Sequence, residues 1–194
     1  METALYIVLA ISQAGLIIYY FLYHRKKKQK EAERRAALSR EFPYDVLRTM
    51  ALTTMPGAML ATIPEGQIAV YSVVMDWDMG SDIVTLATQI TGDTNLYVQS
   101  GGGIIGAGKH LSVSTAAQQF IAVAQNYFAQ AAVMKNTPLP VKNGVQFIFL
   151  TNNGKYCVTE DYSKLENKSS QWLPLFEQAN LVIHEMRNSS GKGN

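Results

Sequence analysis

Cysteine and histidine are scarce in this chain. Cys157 is the only cysteine, so no internal disulfide is possible, which agrees with a reducing compartment. The three histidines, His24, His110 and His184, stand far apart and lack the spacing of metal ligands. From these absences we predict no metal site, no catalytic residue and no cofactor.

Charge is missing from residues 4–23, whose sequence is ALYIVLAISQAGLIIYYFLY. A helix of about 20 residues, with a rise of about 1.5 Å per residue, is about 30 Å long, which matches the hydrocarbon core of a bilayer. Tyrosines gather at the far end of the stretch, where aromatic rings favour the boundary between membrane and water. We therefore predict a transmembrane helix over residues 4–23.

The basic cluster that follows this stretch predicts the orientation of the protein. Flanking Lys and Arg residues remain in the cytoplasm, so we expect a single-pass protein of the cell membrane with residues 1–3 outside and the later domain in the cytoplasm. A cleaved signal peptide is the alternative, but signal peptides carry their positive charge before the apolar run. The side chains expected to contact lipid headgroups are Arg25, Lys26, Lys27, Lys28 and Lys30.

Basic side chains are not in excess beyond this cluster. Residues 24–40 contain eight Lys or Arg and two Glu, whereas the residues from 41 onward contain nine basic and twelve acidic side chains. A nucleic-acid-binding domain carries its excess of Lys and Arg on its own surface, so we predict no nucleic-acid partner. Residues 24–41 contain no Gly or Pro and predict a charged helical stalk.

Residues 42–188 show the alternating periodicities of one α+β domain, and residues 189–194 are predicted to be a disordered tail. The predicted elements are a helix, three strands, a helix, two strands and a helix, over residues 46–55, 68–77, 83–90, 95–100, 114–134, 145–151, 155–161 and 172–186. Turn pairs at Gly92-Asp93 and Asn153-Gly154 favour hairpins. We therefore predict a mostly antiparallel five-stranded sheet with two or three helices packed on one face.

The glycine-rich stretch GGGIIGAGKH is the strongest sequence signal for a ligand. Gly103 to Lys109 fits the pattern GxxxxGK of phosphate-binding loops, and it lies between a predicted strand and a predicted helix. His110 replaces the Ser or Thr that binds Mg²⁺, and the surrounding strands form hairpins. The alternative is a glycine-rich strand end where two backbones approach closely. The candidate ligand-binding residues are Gly101, Gly102, Gly103, Gly106, Gly108, Lys109 and His110.

Two further patterns suggest chemistry only weakly. Asp76, Asp78 and Asp82 resemble part of a calcium loop, but the glycine and the closing glutamate are misplaced, which favours a solvated hairpin turn. Cys157 lies on a predicted strand without a local nucleophile signature, which favours a small buried hydrophobic side chain.

These patterns support three hypotheses about function. The first is a membrane-anchored, non-catalytic binding or scaffolding module that faces the inner membrane surface and contacts the lipid bilayer and a protein partner. The second is an enzyme that binds a nucleotide or phosphate ligand through Gly103 to Lys109. The third is a subunit of a membrane assembly, because Gln13 and neighbouring small residues in the apolar stretch are typical of helix self-association.

Overall fold

The structure is a computed structural model that describes residues 20, 22–30, 33, 43–57 and 63–191. Residues 22–30 are helical and exposed. Most of the predicted membrane span at 4–23, and residues 31–32 and 34–41 of the predicted stalk, lie outside the described residues. No helix within the described ranges combines the length and the apolar character that a bilayer crossing requires.

The domain is built on one antiparallel sheet. In the described residues the strands are β1 (Val70–Asp78), β2 (Ile83–Gln89), β3 (Thr94–Val98), β4 (Gly103–Ile104), β5 (Ala132–Val133), β6 (Gly144–Thr151) and β7 (Gly154–Asp161). Their order across the sheet is β4-β3-β2-β1-β6-β7-β5. The pairs β1–β2, β2–β3 and β6–β7 are hairpins, as the turn signals predict.

Strand β1 occupies the centre of the sheet because both of its faces are apolar. Val73, Val74 and Met75 are consecutive, and all three are completely buried. Successive side chains of a strand point to opposite faces, so burial of three in a row requires cover on both sides. In agreement with this burial, β1 lies in the middle of the strand order, between β2 and β6.

Four α-helices surround this sheet in the described residues: α1 (Tyr44–Leu52), α2 (Leu111–Tyr127), α3 (Tyr162–Glu166) and α4 (Leu173–Gly191). The two long helices, α2 and α4, pack against each other and against one face of the sheet. Phe120 of α2, Leu175 of α4 and Phe147 of β6 have no exposed surface in this core. The apolar stripe of each helix is thereby removed from water, which is the main stabilising contribution to the fold.

Helix α1 packs on the opposite face, which we call the α1 face of the sheet. Tyr44 and Leu52 of α1 share a second core with Val74 of β1 and Ile148 of β6. The prediction that all helices lie on one face is therefore wrong. The reason is the two-sided burial of β1, which one helical layer cannot provide.

The predicted number of strands is also wrong, because the sheet has seven strands and not five. The two additional strands, β4 and β5, have two residues each and lie at opposite edges. Strand β4 lies within the glycine stretch. Strand β5 lies within the predicted helix 114–134, since α2 ends at Tyr127 and residues 132 and 133 pair with β7.

The ends of two helices differ from their predicted positions. Helix α1 begins after Pro43, two residues before the predicted start at residue 46. Helix α4 extends to Gly191, three residues into the segment 189–194 that the sequence predicts to be disordered.

Candidate functional site

The glycine stretch closes one edge of the sheet. Gly103 lies in β4 opposite Tyr97 of β3, and Ala107–Lys109 form a 3-10 turn before α2. The N–H of Gly101 donates to the carbonyl oxygen of Val98, and the N–H of Gly106 donates to Asn95 Oδ1 at 2.8 Å. Two backbone donors of the candidate ligand-binding residues, one of them within the phosphate-loop pattern, are therefore already bonded within the protein.

Close approach of backbones accounts for two of these glycines. A Cβ atom on Gly103 would lie 2.1 Å from the carbonyl oxygen of Leu96, and one on Gly108 would lie 2.3 Å from that of Gly92. Real Cβ atoms do not approach other atoms so closely, so only glycine fits at both positions. These contacts support the interpretation of the stretch as a tightly packed strand end.

The ionisable residues of the stretch lie outside the cleft described below. Lys109 is exposed and His110 is half-buried at the start of α2.

All of the strand pairs that build the described sheet are antiparallel, whereas phosphate-loop enzymes use a parallel sheet. Exposed apolar side chains flank the stretch, because Ile105 and Leu111 are 56% and 81% exposed.

A buried ion pair fastens helix α1 to the sheet. Arg48 of α1 donates from Nε at 3.0 Å and from Nη2 at 2.6 Å to Oδ2 of Asp76, which has no exposed surface. The same guanidinium group donates to the carbonyl oxygens of Thr137 and Pro138. One arginine thus joins α1, β1 and the segment before β6. Its hydrogen bonds leave Asp76 fully partnered in the interior.

Two hydroxyl groups extend this network. Thr85 Oγ1 lies 2.5 Å from Asp76 Oδ1, to which it donates, and 2.7 Å from the Tyr44 hydroxyl oxygen. Burial raises the pKa of Tyr44 to about 12, although the hydrogen bond with Thr85 opposes the shift. Tyr44 is therefore a neutral phenol at physiological pH, and the network contains one positive and one negative charge.

Beside this network lies a cleft of about 170 Å³, which we call the α1 cleft. It opens between the C-terminal end of α1 and strands β1 to β3. The residues that line it are all uncharged: Met50, Ala51, Thr54, Ser72, Ala87, Gln89, Asn95 and Tyr97. The α1 cleft adjoins the buried network, because Tyr97 lies opposite Thr85 across the β2–β3 ladder.

Several polar groups of the α1 cleft have no hydrogen-bond partner among the described residues. Tyr97 is only 6% exposed, yet its hydroxyl group makes no hydrogen bond there. The side-chain amide of Gln89 likewise has no partner in the described part of the chain. Asn95 accepts from Gly106 through Oδ1, which leaves its N–H groups open. Among the described residues no buried side-chain N or O atom lacks a hydrogen-bond partner, so these open groups are accessible to solvent within the cleft and can bond to a ligand that enters it.

The acidic turn between β1 and β2 is held together internally. Asp78 Oδ1 accepts from the backbone N–H of Gly80 and of Asn143, and Asp82 accepts from the N–H and hydroxyl groups of Ser100. Among the described residues no group of three His, Cys, Asp or Glu side chains is arranged to hold a metal ion.

Cys157 and the histidines are separate from one another. Cys157 is 5% exposed on the α1 face, and burial raises the pKa of its thiol to about 11, with a further increase from the negative charge of Asp76. The thiolate required of a nucleophile is therefore disfavoured. His184 pairs with Asn188 on an exposed part of α4.

The basic residues predicted to contact headgroups lie on the exposed helical segment 22–30. They are Arg25, Lys26, Lys27, Lys28 and Lys30, and all five are exposed. Their placement on one short helical segment keeps the five positive charges close together.

Comparison of the chain with protein-family models, with curated proteins and with solved structures finds no match. The site is therefore interpreted from its geometry and chemistry alone.

Sequence reasoning missed both the buried network and the α1 cleft. One available signal was Asp76, a carboxylate within the otherwise apolar run VVMDW, because a buried carboxylate requires a cationic partner. Arg48, next to the apolar stripe of α1, was a candidate partner. No sequence signal of this kind identifies Tyr97 or Gln89 as cleft residues, because their place in the cleft depends on how far α1 extends over the sheet.

Proposed function

We propose that this chain is a single-pass membrane protein whose cytoplasmic α+β domain is a non-catalytic binding module at the inner membrane surface. The observation that carries the proposal is the α1 cleft, with unpaired polar side chains in an uncharged pocket. The apolar side chains of Val46, Met50 and Met55 extend the binding surface around α1, being 51%, 61% and 77% exposed.

The ionisable groups near the α1 cleft favour a binding function over a catalytic one. Asp76 is neutralised by Arg48, the phenol of Tyr44 is protonated, and the raised pKa of Cys157 keeps its thiol protonated. Neither Tyr44 nor Cys157 is suited to proton transfer at neutral pH, because a general acid or base needs a pKa near the operating pH.

Support for the membrane location comes from the sequence. The uncharged stretch 4–23 has the length of a bilayer core, and the exposed basic residues of segment 22–30 follow it directly. Only residues 31–43 separate this segment from α1 in the chain, so we expect α1 to lie on the membrane side of the domain.

A site-specific photo-crosslinker tests this proposal in intact cells. The crosslinker replaces Met50 on the α1 face or, as a matched control, Leu181 of α4, which is 49% exposed on the other side of the domain. We expect the protein to sediment with membranes after carbonate washing, and a discrete adduct to form from position 50 but not from position 181. Protein in the supernatant would refute the anchor, and equal adducts from both positions would refute the α1 face as the binding surface.

The nucleotide or phosphate hypothesis receives less support, because the glycines pack against backbone and the sheet is antiparallel. It makes a separate prediction: ATP, GTP, NAD or phosphate would raise the unfolding temperature of the wild-type protein but not that of Lys109→Ala. The assembly hypothesis predicts that full-length protein forms oligomers that a fragment lacking residues 1–23 does not form.

A further inference from the structure

The α1 cleft has a chemical character that restricts its ligand. Its apolar walls come from Met50, Ala51 and Ala87, and its polar groups come from strands β2 and β3. Of the polar groups, the Tyr97 hydroxyl is held in the most rigid position, because the residue is 94% buried within the β3 ladder. A fixed donor at the base of a cleft favours a ligand with a fixed acceptor, since neither partner then loses much freedom on binding.

The open hydrogen-bonding groups of the cleft include both donors and acceptors. Tyr97 offers its O–H group and Asn95 offers an N–H group, while Gln89 offers both an N–H group and a carbonyl oxygen. Side-chain amides bond in pairs to a planar edge on which a donor and an acceptor stand next to each other. Amide-type edges of heterocyclic rings have this arrangement.

The charge and the size of the cleft restrict the possible ligands further. A charged ligand would lose its hydration without gaining a countercharge from the described lining residues, because these are uncharged and Arg48 and Asp76 neutralise each other. The volume of about 170 Å³ is close to the roughly 150 Å³ of an engineered cavity that binds one benzene ring, so the cleft has space for one six-membered ring. Larger ring systems would have to extend into solvent beside Met50.

We infer that the α1 cleft binds a small, uncharged planar ring with an amide-type edge, of the class of a pyrimidine base or a nicotinamide. The edge of the ring bonds to Tyr97, Asn95 and Gln89, and its face packs against the thioether of Met50, a favourable sulfur–aromatic contact. This inference rests on the proposed function, since it assigns a ligand to the same α1 face.

Saturation-transfer NMR on the full-length protein in detergent micelles tests the inference with two pairs of probes. Uracil is compared with orotate, and nicotinamide with nicotinate, so that each neutral ring is matched by an anion. We expect saturable binding of uracil or nicotinamide. Nicotinate should bind at least about tenfold more weakly than nicotinamide, a ratio that corresponds to about 1.4 kcal/mol, and this pair tests charge, because orotate carries a carboxylate in addition to the uracil ring. The ring that binds more tightly distinguishes the two ligand sources.

Two substitutions locate the binding at the α1 cleft. Tyr97→Phe removes an unpaired hydroxyl group, so it should preserve the fold and weaken binding about tenfold, the effect of one lost hydrogen bond. Gln89→Met should weaken binding by a similar factor. Tyr127→Phe is the matched control. Tyr127 packs against Trp172 on the sheet face opposite α1, so the loss of its hydroxyl group should leave binding unchanged.

Several results would overturn the inference: no saturable binding of either neutral ring, equal binding of the charged probes, or unchanged binding in both Tyr97→Phe and Gln89→Met. These failures are distinguishable from failure of the proposed function. If the rings do not bind but position 50 still gives a specific adduct at the membrane, the binding module stands and only its ligand is wrong.

Discussion

Replacing Arg48 by methionine tests whether one buried ion pair fastens helix α1 to the sheet. The substitution keeps most of the unbranched apolar stem of the side chain but removes the charge opposite Asp76, which has no exposed surface. Breaking a buried pair from one side leaves an uncompensated charge and costs about 3–5 kcal/mol. For a domain of this size each kcal/mol lowers the unfolding temperature by about 2–4 °C, so we expect a decrease of roughly 6–20 °C.

Urea unfolding of the purified protein, monitored by the fluorescence of Trp77 and Trp172, measures this decrease in the free energy of unfolding. Trp172 is buried in the core that α2 and α4 form with the sheet, and Trp77 is half-buried against that core, so their emission reports unfolding of the domain. Arg187→Met is the control, because Arg187 is exposed on α4 and the same chemical change there should alter stability by less than about 0.5 kcal/mol.

The double variant Arg48→Met, Asp76→Leu separates the ion pair from the packing of α1. When both charges are replaced by apolar groups, no unpaired charge remains, so the double variant should lose about 2 kcal/mol less than the sum of the two single variants. Strict additivity, or a loss below about 1 kcal/mol in Arg48→Met alone, would refute the assigned role of the pair.

Three further predictions concern stability and reactivity. Gly103→Ala and Gly108→Ala should each cost more than Gly106→Ala in urea unfolding, because a Cβ collides with backbone at the first two positions and meets nothing within 4 Å at the third, where only the positive φ of 68° adds strain; equal costs would contradict the close-approach interpretation. Gln125→Leu should cost about 1–3 kcal/mol, since it leaves the N–H of the buried Val70 without its partner, whereas Gln125→Glu keeps the acceptor and should cost less. The Cys157 thiol should react with a disulfide reagent at pH 8 only after unfolding. Because its folded pKa is raised from 9.0 to about 11, its contribution to stability is complete below pH 9 and is lost as the pH rises toward 11, so Cys157→Ala should show a flatter decline over that interval.

Local periodicity was sufficient to predict much of the fold. The α+β class and the three hairpins follow from alternating residues in the strands, from Gly and Asn turn signals and from apolar spacing in the helices. Strands β4 and β5 could not be predicted in this way. A strand of two residues has no periodicity of its own, and it exists only because a neighbouring strand offers backbone partners.

The candidate site could not be predicted from local sequence patterns, because it is formed by contacts between residues that are distant in the sequence. Arg48 and Asp76 are 28 positions apart, and their pairing depends on α1 lying on the sheet face opposite the other helices. The glycine pattern attracted attention because it is local, but its geometry follows from packing against Leu96 and Gly92. The cleft residue Tyr97 carries no local signal, because a buried tyrosine on a strand has the same sequence pattern with or without a partner for its hydroxyl group.

Hydrogen–deuterium exchange of the full-length protein, in its native membranes and after purification in detergent, tests the central claim most directly. If the α1 face holds a partner at the membrane, peptides covering Tyr44–Leu52 and strand β3 should exchange more slowly in native membranes, while peptides of α4 should exchange at the same rate in both states. Equal exchange of Tyr44–Leu52 in the two states, or protection confined to α4, would contradict the claim that the α1 face is the binding surface.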